Sequence, residues 1–234
     1  MENDTLHANP APLGRTSQDA TTLFSKMVNI VPCPGEVFGE LAGAPARVRH
    51  WLVPTLLVAL ASVLLSGAAN PGDQTAALGA LADPGRLEVV RTRLRVFSAL
   101  TTILAVFAAT GWSAFVLWLA GRLFLGARFS FLKALEVVGL TGSIVLLGNL
   151  TTALLGAATG DAAARFALSL LAPQLAADHA VKLILSAFDV FSLWTTVVLA
   201  VGLAKLSGVA FKEAALWVFG YWLLLRVALI ALAG

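Results

Sequence analysis

Apolar residues in this chain come in long, nearly unbroken runs. A helix that crosses a hydrocarbon core of about 30 Å needs about 20 mostly apolar residues. Five runs approach that length, at residues 51–69, 98–125, 134–157, 183–204 and 214–233. The first carries no charge, and the others carry Arg122, Glu136, Asp189 and Arg226 in turn. The pattern predicts an all-α, polytopic membrane protein with five transmembrane helices and short interfacial or extramembrane helices between them.

The segments between the runs have their own signals. Residues 1–31 read as a disordered, polar N-terminal tail, and 32–234 as the membrane domain. The tail lacks a basic stretch followed by an apolar one, so it does not read as a signal peptide. Pro32-Cys33-Pro34-Gly35 breaks the chain. A short amphipathic helix at 36–42 follows, with Val37, Phe38 and Leu41 on one face, and is expected to lie along the membrane surface. Asp83-Pro84 is an N-cap with proline at the first helical position. A helix from Pro84 would extend well beyond the membrane before entering it near Ser98. Its overhang has an apolar stripe, Leu87, Val90, Leu94 and Phe97, opposite Arg86, Arg91, Arg93 and Arg95. A second extramembrane helix is expected at 162–172, and the two are expected to pack together as a cap.

Composition narrows the class further. Hydrophobic residues make up 59% and charged residues 12%, with a mean hydropathy of +0.87. A soluble domain has about 45–50% apolar and about 25% charged residues. A disordered chain is excluded, and too little charge remains to coat a soluble enzyme. The single Cys33 rules out an intramolecular disulfide and any multi-cysteine zinc site. The net charge of +3 comes from Lys and Arg scattered between apolar runs, so no nucleic-acid partner is expected. With arginines 86–95 set aside as part of a folded helix, the remaining flanking charges favour a cytoplasmic N-terminus and a C-terminus outside.

Charges inside the runs are the sharpest candidates. Asp189 and Arg226 are placed at nearly the same depth, in the outer half of the bilayer, where antiparallel neighbours could pair them. The pair would either fix helix packing or serve a proton or substrate relay. A further alternative is that Arg226 snorkels outward alone. Asn149 in the third run suits an interhelical hydrogen bond. Small residues four apart, such as Gly148, Thr152 and Gly156, would let helices approach closely. The segment 122–133 interleaves Arg122, Arg128 and Lys133 with Phe124, Phe129 and Phe131. With Phe38, residues Arg122, Arg128, Phe129, Phe131 and Lys133 are the expected membrane-surface or partner contacts. Catalytic sets are missing: His7, His50 and His179 all lie outside the runs, and Asp189 has no second aspartate. No cofactor or metal is expected.

Three segments carry a family resemblance. They are Pro34-Gly35-Glu36-Val37-Phe38-Gly39-Glu40-Leu41 with Pro45 and Trp51, then Gly126-Ala127-Arg128-Phe129-Ser130-Phe131-Leu132-Lys133-Ala134-Leu135 with Val138-Gly139. The third is Phe191-Ser192-Leu193-Trp194 with Gly202-Leu203-Ala204, Ser207-Gly208 and Lys212-Glu213-Ala214. In this order they resemble the Yip family, the Ypt/Rab-GTPase-interacting membrane proteins, in its prokaryotic form. The resemblance implies five helices and a cytoplasmic N-terminus. The Ala, Leu and Gly content suits a bacterial member, hence the cytoplasmic (inner) membrane. Eukaryotic members carry Asp-Leu-Tyr-Gly-Pro before the first span; it is absent here, which argues against a Rab-type GTPase partner. The expected role is a membrane scaffold or adaptor that meets the lipid bilayer and other membrane proteins or a second copy of itself. The alternative is a transporter or channel subunit using Asp189, Arg226 and Asn149.

Overall fold

The computed structural model describes residues 22–68, 84–159 and 189–233. They form seven helices: α1 (Leu23–Asn29), α2 (Pro34–Gly43), α3 (Arg49–Ala68), α4 (Pro84–Phe124), α5 (Phe131–Thr159), α6 (Val190–Ser207) and α7 (Phe211–Ala233). The expected all-α class is found, with no strand element among the described residues. The expected helix at 162–172 lies outside the described residues, and so does its packing into a cap.

Local chemistry explains the boundaries. Thr22 caps α1 by accepting from the Ser25 amide at 3.3 Å. Pro34 opens α2 at a position where its missing N–H costs nothing. Ala44 ends α2 in extended backbone, as the following Pro45 requires. Ser130 accepts from the Lys133 amide at the start of α5. Gly208, at φ 68°, closes α6 in the left-handed region and turns the chain directly into α7. The helix from Pro84 is present, and its 41 residues measure about 60 Å at 1.5 Å per residue. That is twice the hydrocarbon thickness, so the overhang follows from length alone. Along it Val90, Leu94 and Phe97 are exposed.

Three helices among the described residues are long and apolar enough to cross a membrane, where the runs led us to expect five. They are Glu88–Phe124, Phe131–Thr159 and Val190–Ser207. The first run lies in α3, which over Arg49–Leu65 counts as a shorter apolar helix. The last run sits in α7, which also takes in Lys212 and Glu213 besides Arg226. The run 183–204 is cut short too, because α6 begins only at Val190. The outward surface remains strongly apolar. Leu104, Leu154 and Leu224 are each at least 70% exposed, an arrangement suited to lipid and costly in water.

Packing concentrates the core at one end. Helix α3 lies on α5, α5 on α6, and α6 on α7, with α4 against α3 and α5. Phe38, Leu41, Leu140, Ile144, Val198 and Leu203 are wholly or almost wholly enclosed there. Helix α2 therefore buries its apolar face, Val37, Phe38 and Leu41, against α6. The surface contact expected of Phe38 is corrected, since it is 0% exposed, while Glu36 and Glu40 on the opposite face of the helix are exposed. Two glycines permit this closeness. A Cβ on Gly139 would stand 2.4 Å from the Trp51 Cα, and one on Gly202 would stand 2.4 Å from Val137 and 3.2 Å from the Phe38 ring. Helix α1 falls within the stretch assigned to the polar tail, yet Ile30 just after it is buried and Lys26 pairs with Glu40.

Candidate functional site

Two polar centres stand out against the apolar bundle. The first is at the clamped end, where α2, α3 and α5 meet. Glu136 on α5 is 0% exposed. Its Oε1 accepts from the Arg47 amide at 2.6 Å and lies 2.9 Å from His50 Nδ1. Its Oε2 accepts from Lys133 Nζ at 2.8 Å, and the same ammonium donates to the Leu41 carbonyl at 2.6 Å. A carboxylate in so dry a place is tolerable only with partners of this number and quality. Burial lowers the His50 imidazole below its ordinary value, although its hydrogen bond to Glu136 and that carboxylate's charge pull the other way. The network ties the end of α2, the start of α3 and the first turn of α5 into one unit.

This centre was only half legible beforehand. Lys133 reads in sequence as a headgroup anchor, but it is buried in the network, and that expectation is corrected. Glu136 reads as a mere interruption of an apolar run, and His50 as a flank residue. The available signal was their spacing, since Lys133 and Glu136 are three apart and share a helix face. The other expected contacts divide. Arg122, Arg128 and Phe131 are exposed, with Arg122 5.3 Å above the Trp118 ring. Phe129 is half-buried and packs against the core beside Gly121.

The second centre is at the other end of α6. Asp189 does not lie inside a helix. It is the N-cap of α6, and its Oδ1 accepts from the Ser192 amide at 2.9 Å. Arg226 on α7 reaches the same turn, where Nη2 donates to Ser192 Oγ at 2.7 Å and the guanidinium lies 5.5 Å above Trp222. Asp189 and Arg226 are thus brought together through Ser192, and they make no ion pair with each other. Ser192 was missed as a site residue; its clue was the third position after an N-cap aspartate. Asn149 donates to Ser62 Oγ at 3.3 Å, joining α5 to α3.

Asp189, Arg226, Ser192 and Asn149 all line one cavity of about 1040 Å³ between α4, α5, α6 and α7. Its walls are mostly aliphatic and aromatic. Small-molecule pockets usually occupy about 300–1,000 Å³, so the space is ample. On the side between α4 and α7 the helix backbones stay apart, and aromatic side chains bridge the gap. Phe124 stacks on Trp217 with ring centres 3.7 Å apart, and Trp112 Nε1 donates to Tyr221 Oη at 2.7 Å. Among the described residues no three His, Cys, Asp or Glu side chains gather as metal ligands would. The arrangement can bind and orient a guest.

No curated protein and no solved structure matches the chain. The family model for the Yip1 domain matches residues 28–233, a span that takes in α2 to α7 and both polar centres. Together with long apolar helices and the three segments read from sequence, that match settles the relationship: the chain belongs to the Yip1 domain family.

Proposed function

We propose that this integral membrane protein is a non-enzymatic scaffold or adaptor, which organises membrane partners or the bilayer around it. The observation that supports the reading is the clamped end. Buried Glu136, Lys133 and His50 hold α2, α3 and α5 together, so the adjoining loop is presented from a rigid base. Arg122, Arg128 and Phe131 are exposed beside it and offer positive charge with an aromatic edge. Anionic lipid headgroups or an acidic face of a membrane partner, including a second copy of this chain, would meet that surface. In this reading the chain lies in a bacterial cytoplasmic membrane with its N-terminus inside. Rab-type GTPases are not among its partners.

The test is recovery of tagged protein from native membranes in mild detergent, followed by mass spectrometry. A stoichiometric membrane partner is expected with wild type and should be lost when Arg122 and Arg128 are both changed to Glu. Recovery of the chain alone, or a partner indifferent to the charge reversal, would sink the reading. The cavity supports a second reading, a transporter or channel subunit in which Asp189, Arg226 and Asn149 line the path. Solute or ion flux in proteoliposomes, abolished by Arg226→Gln, would move the assignment there.

A further inference from the structure

Asp189 and Arg226 are the only charged side chains lining the large cavity among the described residues. Their charges are opposite, so the described lining carries no net charge. They do not neutralise each other directly, because each turns to Ser192 instead. Among the described residues the second Asp189 oxygen has no partner, and most of the Arg226 N–H groups are equally uncommitted. A guanidinium has five donors, of which one is used here. Unlike charges held close together but apart are costly in a membrane unless something completes them.

The rest of the cavity describes that something. Along α7, Trp217 lies about 14 Å from Arg226 at 1.5 Å per residue. Between them the wall is mostly apolar, with Leu224 and Leu225 on α7 and Leu199 opposite on α6; the Tyr221 and Thr196 hydroxyls in it are already hydrogen-bonded to Trp112 and the Ser192 carbonyl. Between α4 and α7 the aromatic pairs Phe124–Trp217 and Trp112–Tyr221 bridge the helices, and Trp112, Phe124 and Trp217 are exposed there, on the same strongly apolar outer surface. A guest arriving from that side is a lipid-soluble one.

We propose that this cavity binds a zwitterionic amphiphile whose head carries a phosphate and a primary ammonium, as phosphatidylethanolamine does. The phosphate sits on the Arg226 guanidinium, the ammonium donates to Asp189, and an acyl chain runs along α7 toward Trp217. Binding of this kind needs no protein partner and no transport. A head without the ammonium leaves Asp189 uncompensated, and a quaternary ammonium has no N–H to donate to it.

Native mass spectrometry of the detergent-solubilised protein tests this with dioleoyl phosphatidylethanolamine, phosphatidylcholine and phosphatidylglycerol. Wild type is expected to hold the ethanolamine lipid about tenfold better than the other two, the worth of one charge-assisted hydrogen bond. Asp189→Asn keeps an N-cap residue and should erase that preference. Arg226→Gln should weaken all three lipids about tenfold by the same reasoning. Gly220→Trp should block binding outright, because a Cβ at Gly220 meets nothing within 4 Å and the new ring can fill the cavity. Arg91→Gln, on the overhang, should change nothing. Equal binding of the three lipids by wild type overturns the proposal. So does full ethanolamine-lipid binding by the Gly220→Trp protein, or its loss in Arg91→Gln. Soluble phosphoethanolamine forms the last arm. If it displaces the lipid at equal concentration, the site reads a free head and the amphiphile assignment fails.

Discussion

Glu136 and Asp189 are both carboxylates set among apolar helices, and the protein treats them in opposite ways. Glu136 is sealed off, and three groups from three segments are aimed at it. Asp189 is half-buried, spends one oxygen on capping α6, and faces a cavity with Arg226. The backbone follows the same division. Around Glu136 the helices touch through Gly139 and Gly202, while α4 and α7 stand apart beside the cavity. A fully enclosed charge must be satisfied by the protein itself, so it becomes part of the fold. A charge that faces a cavity can be left incomplete, because a guest or solvent completes it. The contrast teaches which buried charges to regard as structural and which as available for function.

The comparison breaks first at Glu136. Removing one partner of a buried ion pair costs about 3–5 kcal/mol, so Glu136→Ala is expected to destabilise the protein heavily. Thermal unfolding in detergent should show a large drop, and a melting curve like wild type would mean that the network holds nothing together. Next come the glycines. Gly139→Ala forces a methyl against the Trp51 backbone and should cost about 1–3 kcal/mol as overpacking. Gly220→Ala enters open space beside the cavity, and it should stabilise by up to about 1 kcal/mol through helix propensity. If both substitutions had the same sign, the tight and open ends would not differ as described.

At the cavity end the effects are smaller. Asp189→Ala should cost about 1 kcal/mol as a lost N-cap, and Asp189→Asn should cost almost nothing. A large loss with Asn would show that the charge, rather than the cap, stabilises the fold. The smallest effect concerns pH. Burial holds the His50 pKa below its ordinary 6.5, so the folded protein binds fewer protons there than the unfolded chain. That contribution is complete above pH 6.5 and is lost as the pH falls through the lowered value. Comparing wild type with His50→Gln by denaturation across pH 5–7 isolates it. A difference between them that did not narrow on acidification would contradict the sign.

Much of this was legible from residue order alone. Long apolar runs with little charge dictate membrane helices, because nothing else can bury so many aliphatic side chains in 234 residues. Asp83-Pro84 marked the start of the long α4. The three segments from Pro34 to Ala214 pointed to the family that the domain match then established. Span count was less secure. Hydropathy records composition, whereas a helix begins where its cap lies, and with Asp189 as cap α6 starts at Val190, seven residues after the beginning of the apolar run.

The sites show most clearly what tertiary structure alone decided. Sequence put Asp189, Arg226 and Asn149 forward together, and the fold does gather them around one cavity. It could not show that Ser192 stands between the two charges, because that depends on how α6 and α7 are rotated against each other. Nor could it find the Glu136 network, whose members come from residues 41, 47, 50, 133 and 136. Phe38 looked like a surface contact for the same reason. Amphipathic spacing says that a helix has an apolar face, and only the packing of α2 onto α6 says whether lipid or protein covers it. Hydropathy along a chain is local and was readable one residue at a time. Burial of a charge, a closed network and the shape of a cavity are properties of distant segments in contact, and those exist only once the chain has folded.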